Sequence, residues 1–164
     1  MKPQAIDDEY REEKTVETKE IGEATNQTAE AGKDTTSPNV ELVREVYEAF
    51  GRGDIATIFG LAHPGIEIYQ SCRLPWGGRY KGLEGFGEFL AKLTGAIESE
   101  VESGRFIDDE EGHVVQTGRT RGKVKASGER FDVPETHVWT ILDGKVRGFE
   151  SYIDTKKMRE VLGL

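Results

Sequence analysis

"RFDVPETHVWTILDGKVRGFESYID", residues 130–154, is the stretch that decides the fold. On both sides of Asp143-Gly144, β-branched and aromatic residues alternate with polar ones, as they do in half-buried strands. An Asp-Gly pair between two such runs is a strong signal for a tight antiparallel hairpin. The segment therefore predicts two long strands, "RFDVPETHVWTIL" and "KVRGFESYID", joined through this turn.

The loop length decides which way His137 faces. A two-residue loop would pair Leu142 with Lys145 and place His137 opposite Glu150. A three-residue loop with Gly144 left-handed in a bulge would place His137 opposite Phe149. A slip of one residue changes the neighbours of every side chain, and the hairpin sequence alone leaves both registers open.

Upstream of the hairpin the chain alternates between helical and strand patterns. Ser37-Pro38 is a good cap and first turn for a helix that Gly51 ends, and Asp54 can cap a second, short helix. "GIEIYQS" then alternates as a strand does, whereas "SCRLPWGGRYKG" is rich enough in Pro and Gly to be a loop.

The remaining segments complete a mixed architecture. The next helix is predicted from apolar residues at helical spacing, namely Leu83, Phe86, Leu90, Leu93 and Ile97. "VESGRFID" and "HVVQTGRTRGKVKA" read as strands before the hairpin, and "TKKMREVLGL" as a short closing helix. Helices followed by long antiparallel strands predict an α+β domain.

Charge and cysteine content exclude several classes of partner. The net charge of -9 argues against nucleic-acid binding and against an anionic membrane surface. No apolar run is long enough to span a bilayer, and the N-terminus lacks the apolar core of a signal peptide. With Cys72 as the only cysteine, no internal disulfide can form, and a cytoplasmic location is expected.

The N-terminal segment differs in composition from the rest. Residues 1–38 contain twice as many acidic as basic side chains and Tyr10 as the only aromatic residue. Such a segment buries too little apolar surface to offset the entropy of ordering. We therefore expect a disordered acidic tail over 1–38, with a partner-binding arm as the alternative, and a folded domain over 39–164.

The order of these elements resembles a known family. Together with "AFGRGD", "HPGIEIY", "GGRYKGLEGFGEFL" and "HVWTILDGKV", it is similar to the SnoaL-like branch of the nuclear transport factor 2-like superfamily. The resemblance covers roughly residues 39–163. It implies a cone-shaped, strongly curved antiparallel sheet wrapped around three helices, with an apolar pocket at one end. Relatives include ketosteroid isomerases, polyketide cyclases and binding-only proteins, so the resemblance implies the fold and not one activity.

The resemblance also bears on His137. It implies that His137 occupies a position where SnoaL-like cyclases often carry a pocket histidine, with Ser151 where they keep a catalytic Asp. This favours the bulged three-residue loop, with His137, Trp139, Phe149, Ser151 and Glu135 facing the cavity. Two departures count against a direct transfer of activity. Ile68 stands where the isomerases carry their proton-shuttling Asp, and Ser is a poor general acid.

The candidate site residues each have a structural alternative. His137 is the candidate acid or base and Glu135 its orienting partner, but His137 could be a hydrogen-bonded strand residue and Glu135 could reach solvent. The candidate ligand-binding residues could equally be core or pocket-wall residues, and they are Tyr47, Gln70, Trp76, Trp139, Phe149 and Ser151. The three histidines are far apart with no clustered acids, so we expect no metal and no other cofactor.

Two functions remain open at this stage. The first is cofactor-independent acid-base catalysis on a small apolar carbonyl compound, of the isomerase, cyclase, dehydratase or hydrolase type. The second is ligand binding or assembly without catalysis. A histidine with no second polar group within hydrogen-bond reach would favour the second. Because Val138 and Leu142 alternate with Trp139 and Ile141, both sheet faces are apolar, and we expect a homodimer through the sheet.

Overall fold

The computed structural model describes residues 36–164, which form four helices and one six-stranded sheet. In chain order the elements are α1 Pro38–Arg52, α2 Ile55–Leu61, β1 Ala62–Gln70, β2 Gly78–Lys81, α3 Gly82–Ala96, β3 Ile97–Asp108, β4 His113–Val124, β5 Arg130–Leu142, β6 Lys145–Ile153 and α4 Thr155–Val161. The predicted α+β class is confirmed. The predicted tail lies, up to Thr35, outside the described residues.

The helix ends follow from local capping. The Ser37 hydroxyl accepts a hydrogen bond from Val40 N at 3.1 Å, and Gly53 ends α1 in the left-handed conformation. Asp54 accepts from Thr57 N at 3.1 Å and so begins α2 immediately afterwards. These side chains satisfy backbone donors that have no partner within the helix. Within residues 36–164, none of the helices combines the length and the apolar character needed to cross a bilayer.

The strands lie in the order β2-β1-β6-β5-β4-β3. All neighbouring strands are antiparallel except β1 and β6, which pair in parallel. The sequence predicted an antiparallel sheet and a loop from Ser71 to Gly82. The last residues of that loop instead form β2, because Arg79 and Tyr80 pair with Tyr69 and Ile68 of β1.

The sheet is curved and unclosed. Register shifts interrupt β3–β4 between Ser103 and Arg105 and β1–β6 between Ala62 and Glu67, and such irregularities bend strands. A glycine is required at Gly122, where an added Cβ would lie 1.9 Å from the backbone oxygen of Glu98. The curvature leaves room for the helices, whose buried side chains share one hydrophobic core with the inner face of the sheet.

The loop of the β5–β6 hairpin differs from the predicted one, whereas His137 faces the predicted side of the sheet. Leu142 pairs with Lys145, and the two loop residues have positive φ, 52° at Asp143 and 70° at Gly144. The loop therefore has two residues, so the prediction of three was wrong. The ladder then shifts, because Ile141 pairs with Val146 whereas Thr140 pairs with Gly148, leaving Arg147 as an extra residue in β6.

This bulge restores the face that a plain two-residue hairpin would have changed. Beyond Arg147, His137 pairs with Ser151 and Trp139 with Phe149. The three-residue loop had predicted Phe149 opposite His137. In the structure, Ser151 is opposite His137 instead. All four side chains nonetheless line the cavity described below. We call the cavity side of the sheet the inner face and the opposite side the outer face.

Candidate functional site

A cavity of about 100 Å³ lies between the helices and the inner face of the sheet. Its walls are mostly aliphatic and aromatic, with contributions from α1, α2, α3 and Met158 of α4. Among the described residues, no Lys, Arg, Asp or Glu lines it. The polar side chains in its wall, besides the two tryptophans, are Tyr47, Gln70, Ser99, Thr120, His137 and Ser151. Mostly apolar walls with a few polar groups are typical of small-molecule sites.

Four polar side chains form a row across the inner face, one from each of four neighbouring strands. Gln70 of β1 pairs with Ser151 of β6, Ser151 with His137 of β5, and His137 with Gln116 of β4. None is more than 5% exposed. We call these four residues the polar row. Because buried polar groups are costly unless hydrogen-bonded, the partners of each member show how the row is stabilised.

His137 is held between two polar groups. Its Nδ1 lies 2.8 Å from the Tyr47 hydroxyl, and its Nε2 lies 3.3 Å from Oε2 of Glu135. The ring also packs edge-on against Phe149, with the centroids 4.9 Å apart. Burial lowers the pKa of His137 to about 3, so the imidazole is neutral at neutral pH.

The Tyr47 hydroxyl, carried by α1, connects three residues of the sheet. It lies 3.0 Å from Oε1 of Gln116, accepts a hydrogen bond from Nε1 of Trp139 at 3.0 Å, and contacts His137 Nδ1. A hydroxyl has one hydrogen, so Tyr47 can donate to Gln116 or to His137 but not to both. Burial raises the pKa of Tyr47 well above its ordinary value, partly offset by the Trp139 hydrogen bond, so Tyr47 keeps this hydrogen.

Glu135 lies beside the row, two residues before His137 on β5. Its Oε2 accepts a hydrogen bond from the Thr120 hydroxyl. Burial raises the pKa of Glu135 to about 7, although the Thr120 hydroxyl and the nearby Gln116 amide favour the ionised form. Oε1 of Glu135 and Nε2 of Gln116 are both buried and lack a partner at strict hydrogen-bond distance within residues 36–164.

These contacts define two protonation states of one cluster. When Glu135 is ionised, His137 can carry its hydrogen on Nε2, facing the carboxylate, and accept the Tyr47 hydroxyl at Nδ1. When Glu135 is protonated, it can face an unprotonated Nε2, while Nδ1–H donates to Tyr47 and Tyr47 donates to Gln116. The second state holds one more proton. Since the pKa of Glu135 is about 7, both states are populated near neutral pH. We call Glu135, His137, Tyr47 and Gln116 the relay.

The other end of the polar row is organised differently. Trp76 is 1% exposed and donates from Nε1 to Oε1 of Gln70 at 3.0 Å. Tyr80 donates to the Trp76 carbonyl oxygen at 2.9 Å, which fixes the loop. Trp76 therefore anchors its loop on the core and also lines the cavity. The structure thus shows Trp76 as a core residue in the cavity wall, and its role in ligand binding stays a prediction.

The structure brings together every residue that the sequence singled out. Seven of them line the cavity, and these are Tyr47, Gln70, Trp76, His137, Trp139, Phe149 and Ser151. Glu135 is not in the cavity wall but is buried beside His137, and it does not reach solvent. The roles assigned to all eight stay predictions.

Sequence reasoning missed Gln116 and Thr120. Both lie on β4, where Val114, Gln116 and Thr120 fall on one face by strand alternation. That alternation could have placed them on the inner face. Their partners could not be found in this way, because they depend on the pairing of Gln116 with His137 and on the reach of Thr120 to Glu135.

Comparison with known proteins identifies relatives of this chain. The model of the SnoaL-like domain matches residues 43–149. A nuclear transport factor 2-like protein of unknown function from Burkholderia pseudomallei K96243 is 26% identical, with a TM-score of 0.73 over 79% of this chain and 100% of that one. No curated protein matches the chain.

Two further solved structures extend the comparison. TerC, co-crystallised with polyporic acid, is 27% identical, with a TM-score of 0.71 over 78% of this chain and 100% of that one. A protein from Jannaschia sp. CCS1 with the provisional name SnoaL-like polyketide cyclase is 22% identical, with a TM-score of 0.68 over 79% and 96%. The last likeness shows the fold alone. The family match covers more than half of the sequence, and the chain therefore belongs to the SnoaL-like domain family.

Proposed function

We propose that this protein binds a small, largely apolar carbonyl compound and moves a proton on it without a cofactor. The observation that carries the proposal is the relay, which joins His137 to Glu135 and Tyr47 beside an apolar cavity. A histidine without polar partners would have favoured simple binding. A general acid or base works best when its pKa lies near the working pH, and the pKa of Glu135 meets this condition.

In the proposed step the relay gains one proton. With Glu135 ionised, the Tyr47 hydroxyl turns from His137 to Gln116 and frees Nδ1. A C–H bond next to the substrate carbonyl breaks, its electron pair forms an enolate, and Nδ1 takes the proton. The Nε2 hydrogen then passes to Glu135. Return of a proton to another atom of the enolate restores the starting state and completes an isomerisation. In a cyclisation, the enolate carbon instead forms a C–C bond to a second carbonyl carbon of the ligand, and the oxygen of that carbonyl takes the electron pair and the returned proton.

Ligand size follows from the cavity. A cavity of about 150 Å³ is known to hold benzene in another protein, and this one has about 100 Å³. We therefore expect single-ring compounds to enter with small side-chain shifts, and larger compounds only if a helix moves. Polyporic acid, the compound in the TerC crystal, is a useful test of the upper limit.

The test is deuterium uptake by a single-ring ketone. Phenylacetone in D₂O exchanges the hydrogens next to its carbonyl, and ¹H NMR follows the loss of their signal. We expect the protein to accelerate this exchange and His137→Gln to reduce the acceleration about 10²–10⁴-fold. Phenylacetone affinity should stay within tenfold, about 1.4 kcal/mol. Ser103→Ala, which removes an exposed hydroxyl of β3 outside the cavity wall, is the matched control and should retain the rate.

Ligand binding without turnover is the second candidate function. It is favoured by the occupation of both His137 nitrogens, because a ligand must displace Tyr47 or Glu135 to reach the ring. Unaccelerated exchange together with measurable phenylacetone affinity would select this function over catalysis. Mass spectrometry of compounds that co-purify with the protein would then identify the ligand class.

A further inference from the structure

The end of the polar row opposite the relay carries two hydrogen-bond donors that have no acceptor among residues 36–164. Gln70 is 4% exposed and Ser151 is 5% exposed, and both line the cavity. They are directly paired on the parallel strands β1 and β6, whose backbones are about 4.8 Å apart in any sheet. One ligand atom can therefore contact both side chains.

Trp76 fixes the direction of the Gln70 amide. An indole N–H can only donate, so the atom that faces it at 3.0 Å must be Oε1 of Gln70. The amide nitrogen, with two hydrogens, is thereby directed away from Trp76. Within the described part of the chain it has no acceptor. The Trp76 bond thus fixes which end of the Gln70 amide is available as a donor.

Ser151 adds a second donor at the same place. Its hydroxyl has no hydrogen-bond partner among residues 36–164, although its neighbours on both sides belong to the polar row. Both side chains line the cavity, so their donors can meet an entering ligand. A ligand oxygen can accept from both groups, whereas a ligand without an acceptor leaves both donors unpaired. These two side chains therefore favour ligands that carry an acceptor.

The charge of the wall limits the ligand further. No described Lys or Arg lines the cavity, so a carboxylate placed here would be buried without a counter-charge. Burying an unpaired carboxylate is far more costly than burying a carbonyl. We propose that Gln70 and Ser151 form an oxygen pocket for the carbonyl group of a neutral ketone- or quinone-type ligand. This assignment rests on the proposed function, because it gives the substrate class of the same cavity.

The oxygen pocket also positions the ligand toward the relay. Ser151 pairs with His137, so a carbonyl oxygen bound at Ser151 lies about one strand spacing from the imidazole. The carbon next to the carbonyl then lies on the His137 side. Donors at the oxygen stabilise the negative charge that develops there when that carbon loses a proton.

Three ligands of nearly equal shape separate the alternatives. Phenylacetone has the carbonyl, propylbenzene has a CH₂ group in its place, and phenylacetate has a carboxylate. Their dissociation constants are measured by isothermal titration calorimetry. The variants are Ser151→Ala and Gln70→Met, with Ser103→Ala, an exposed serine of β3 outside the cavity wall, as the matched hydroxyl control. Circular dichroism melts verify that each variant is folded. If Gln70→Met does not fold, Ser151→Ala alone is sufficient for the test.

We expect Ser151→Ala and Gln70→Met each to weaken the affinity for phenylacetone about five- to tenfold. Each variant should change the affinity for propylbenzene less than twofold. Wild-type protein should bind phenylacetate at least tenfold more weakly than phenylacetone. The infrared stretch of ¹³C-carbonyl phenylacetone should shift to lower frequency on binding, and each variant should reverse part of that shift. Ser103→Ala should change none of these values.

The results distinguish this inference from the proposed function. Equal weakening of phenylacetone and propylbenzene, an unshifted carbonyl band, or tighter binding of phenylacetate would overturn the oxygen pocket while leaving the cavity as a binding site. Absence of binding by all three ligands would overturn both the proposed function and the oxygen pocket. Accelerated exchange that survives in Ser151→Ala with an unchanged Michaelis constant would overturn the pocket alone.

Discussion

The two faces of the β5–β6 hairpin differ in how they treat similar side chains. On the inner face, Glu135 is buried and Tyr47 of α1 packs half-buried against the strands, and burial raises the pKa of each. On the outer face, Glu150 and Tyr152 are exposed and bond to each other in contact with water. Like side chains therefore meet opposite environments on the two faces. The comparison teaches that chemistry here depends on which face a residue occupies, and the face is set by one extra residue, Arg147.

The largest effect should come from inserting one alanine between Gly148 and Phe149. The insertion would pair His137 with Glu150, so Phe149 and Ser151 would turn to the outer face. We expect a loss of more than about 4 kcal/mol in the free energy of unfolding, measured by urea denaturation, or failure to fold. Arg147→Ala keeps the register and removes only the half-exposed contact with Glu67, so it should cost less than about 1 kcal/mol. Similar losses for both would show that the register of β6 does not set the face.

Glu135→Gln should change the pH dependence of stability. The folded-state pKa of this acid is raised from 4.5 to about 7. A raised pKa stabilises the folded protein at low pH, and that contribution is lost as pH rises from about 4.5 to 7. Gln removes the loss, so the variant should gain about 2–3 kcal/mol relative to wild type between pH 5 and pH 8.

Urea denaturation at both pH values measures this difference. The pKa of His137 is lowered from 6.5 to about 3, so its own contribution falls as pH decreases, and it cancels between the two proteins when His137 stays equally buried. Glu150→Gln, on the outer face, is the control and should give a difference near zero. A pH-independent effect of Glu135→Gln would show that Glu135 is ionised throughout this range.

Tyr47→Phe should cost about 1–3 kcal/mol of unfolding free energy, because it leaves Trp139 Nε1 and Gln116 Oε1 without their partner. It should also lower the exchange rate of phenylacetone, since the Tyr47 hydroxyl is one member of the relay. Tyr152→Phe removes a hydroxyl from the outer face and should change stability by less than about 0.5 kcal/mol. Equal costs for the two variants would remove the distinction between the faces.

The smallest effect concerns association. Apolar side chains on the outer face include Val138, and Ile107, Leu142 and Tyr152 are 45–48% exposed. We expect a second copy of the chain to cover this face. Val138→Lys should then weaken the homodimer at least tenfold, about 1.4 kcal/mol, by light scattering across a concentration series. Val138→Ala, which changes the same residue without adding a charge, is the control. A wild-type monomer at micromolar concentration would contradict this expectation.

Local signals in the sequence were sufficient for most of the fold. Ser37 and Asp54 mark helix starts through their own capping bonds, and strand alternation marks the long antiparallel strands. Pairing between strands that are distant in sequence was harder to predict. β2 forms because Arg79 and Tyr80 meet β1, and no periodicity in four residues can predict that. The parallel pairing of β1 with β6 likewise depends on chain crossing and not on local pattern.

The candidate site shows the same division. The inner position of His137 was predicted through the wrong loop, because a distant bulge and a three-residue turn produce the same alternation of faces. The contact of Glu135 with His137 follows from their i, i+2 spacing on one strand. The contact of Tyr47 with Gln116 depends on how α1 packs over β4, so it required the folded structure.

The placement of the two tryptophans gives the protein a built-in optical signal. The sequence contains only Trp76 and Trp139, and both indoles line the cavity. All tryptophan fluorescence of the chain therefore originates in the wall of one chamber. Its intensity and colour will report on whatever enters that chamber, without an added dye. A titration in an ordinary fluorimeter can thus screen compounds for this protein, and Trp139→Phe would separate the emission of the relay side from that of the oxygen pocket.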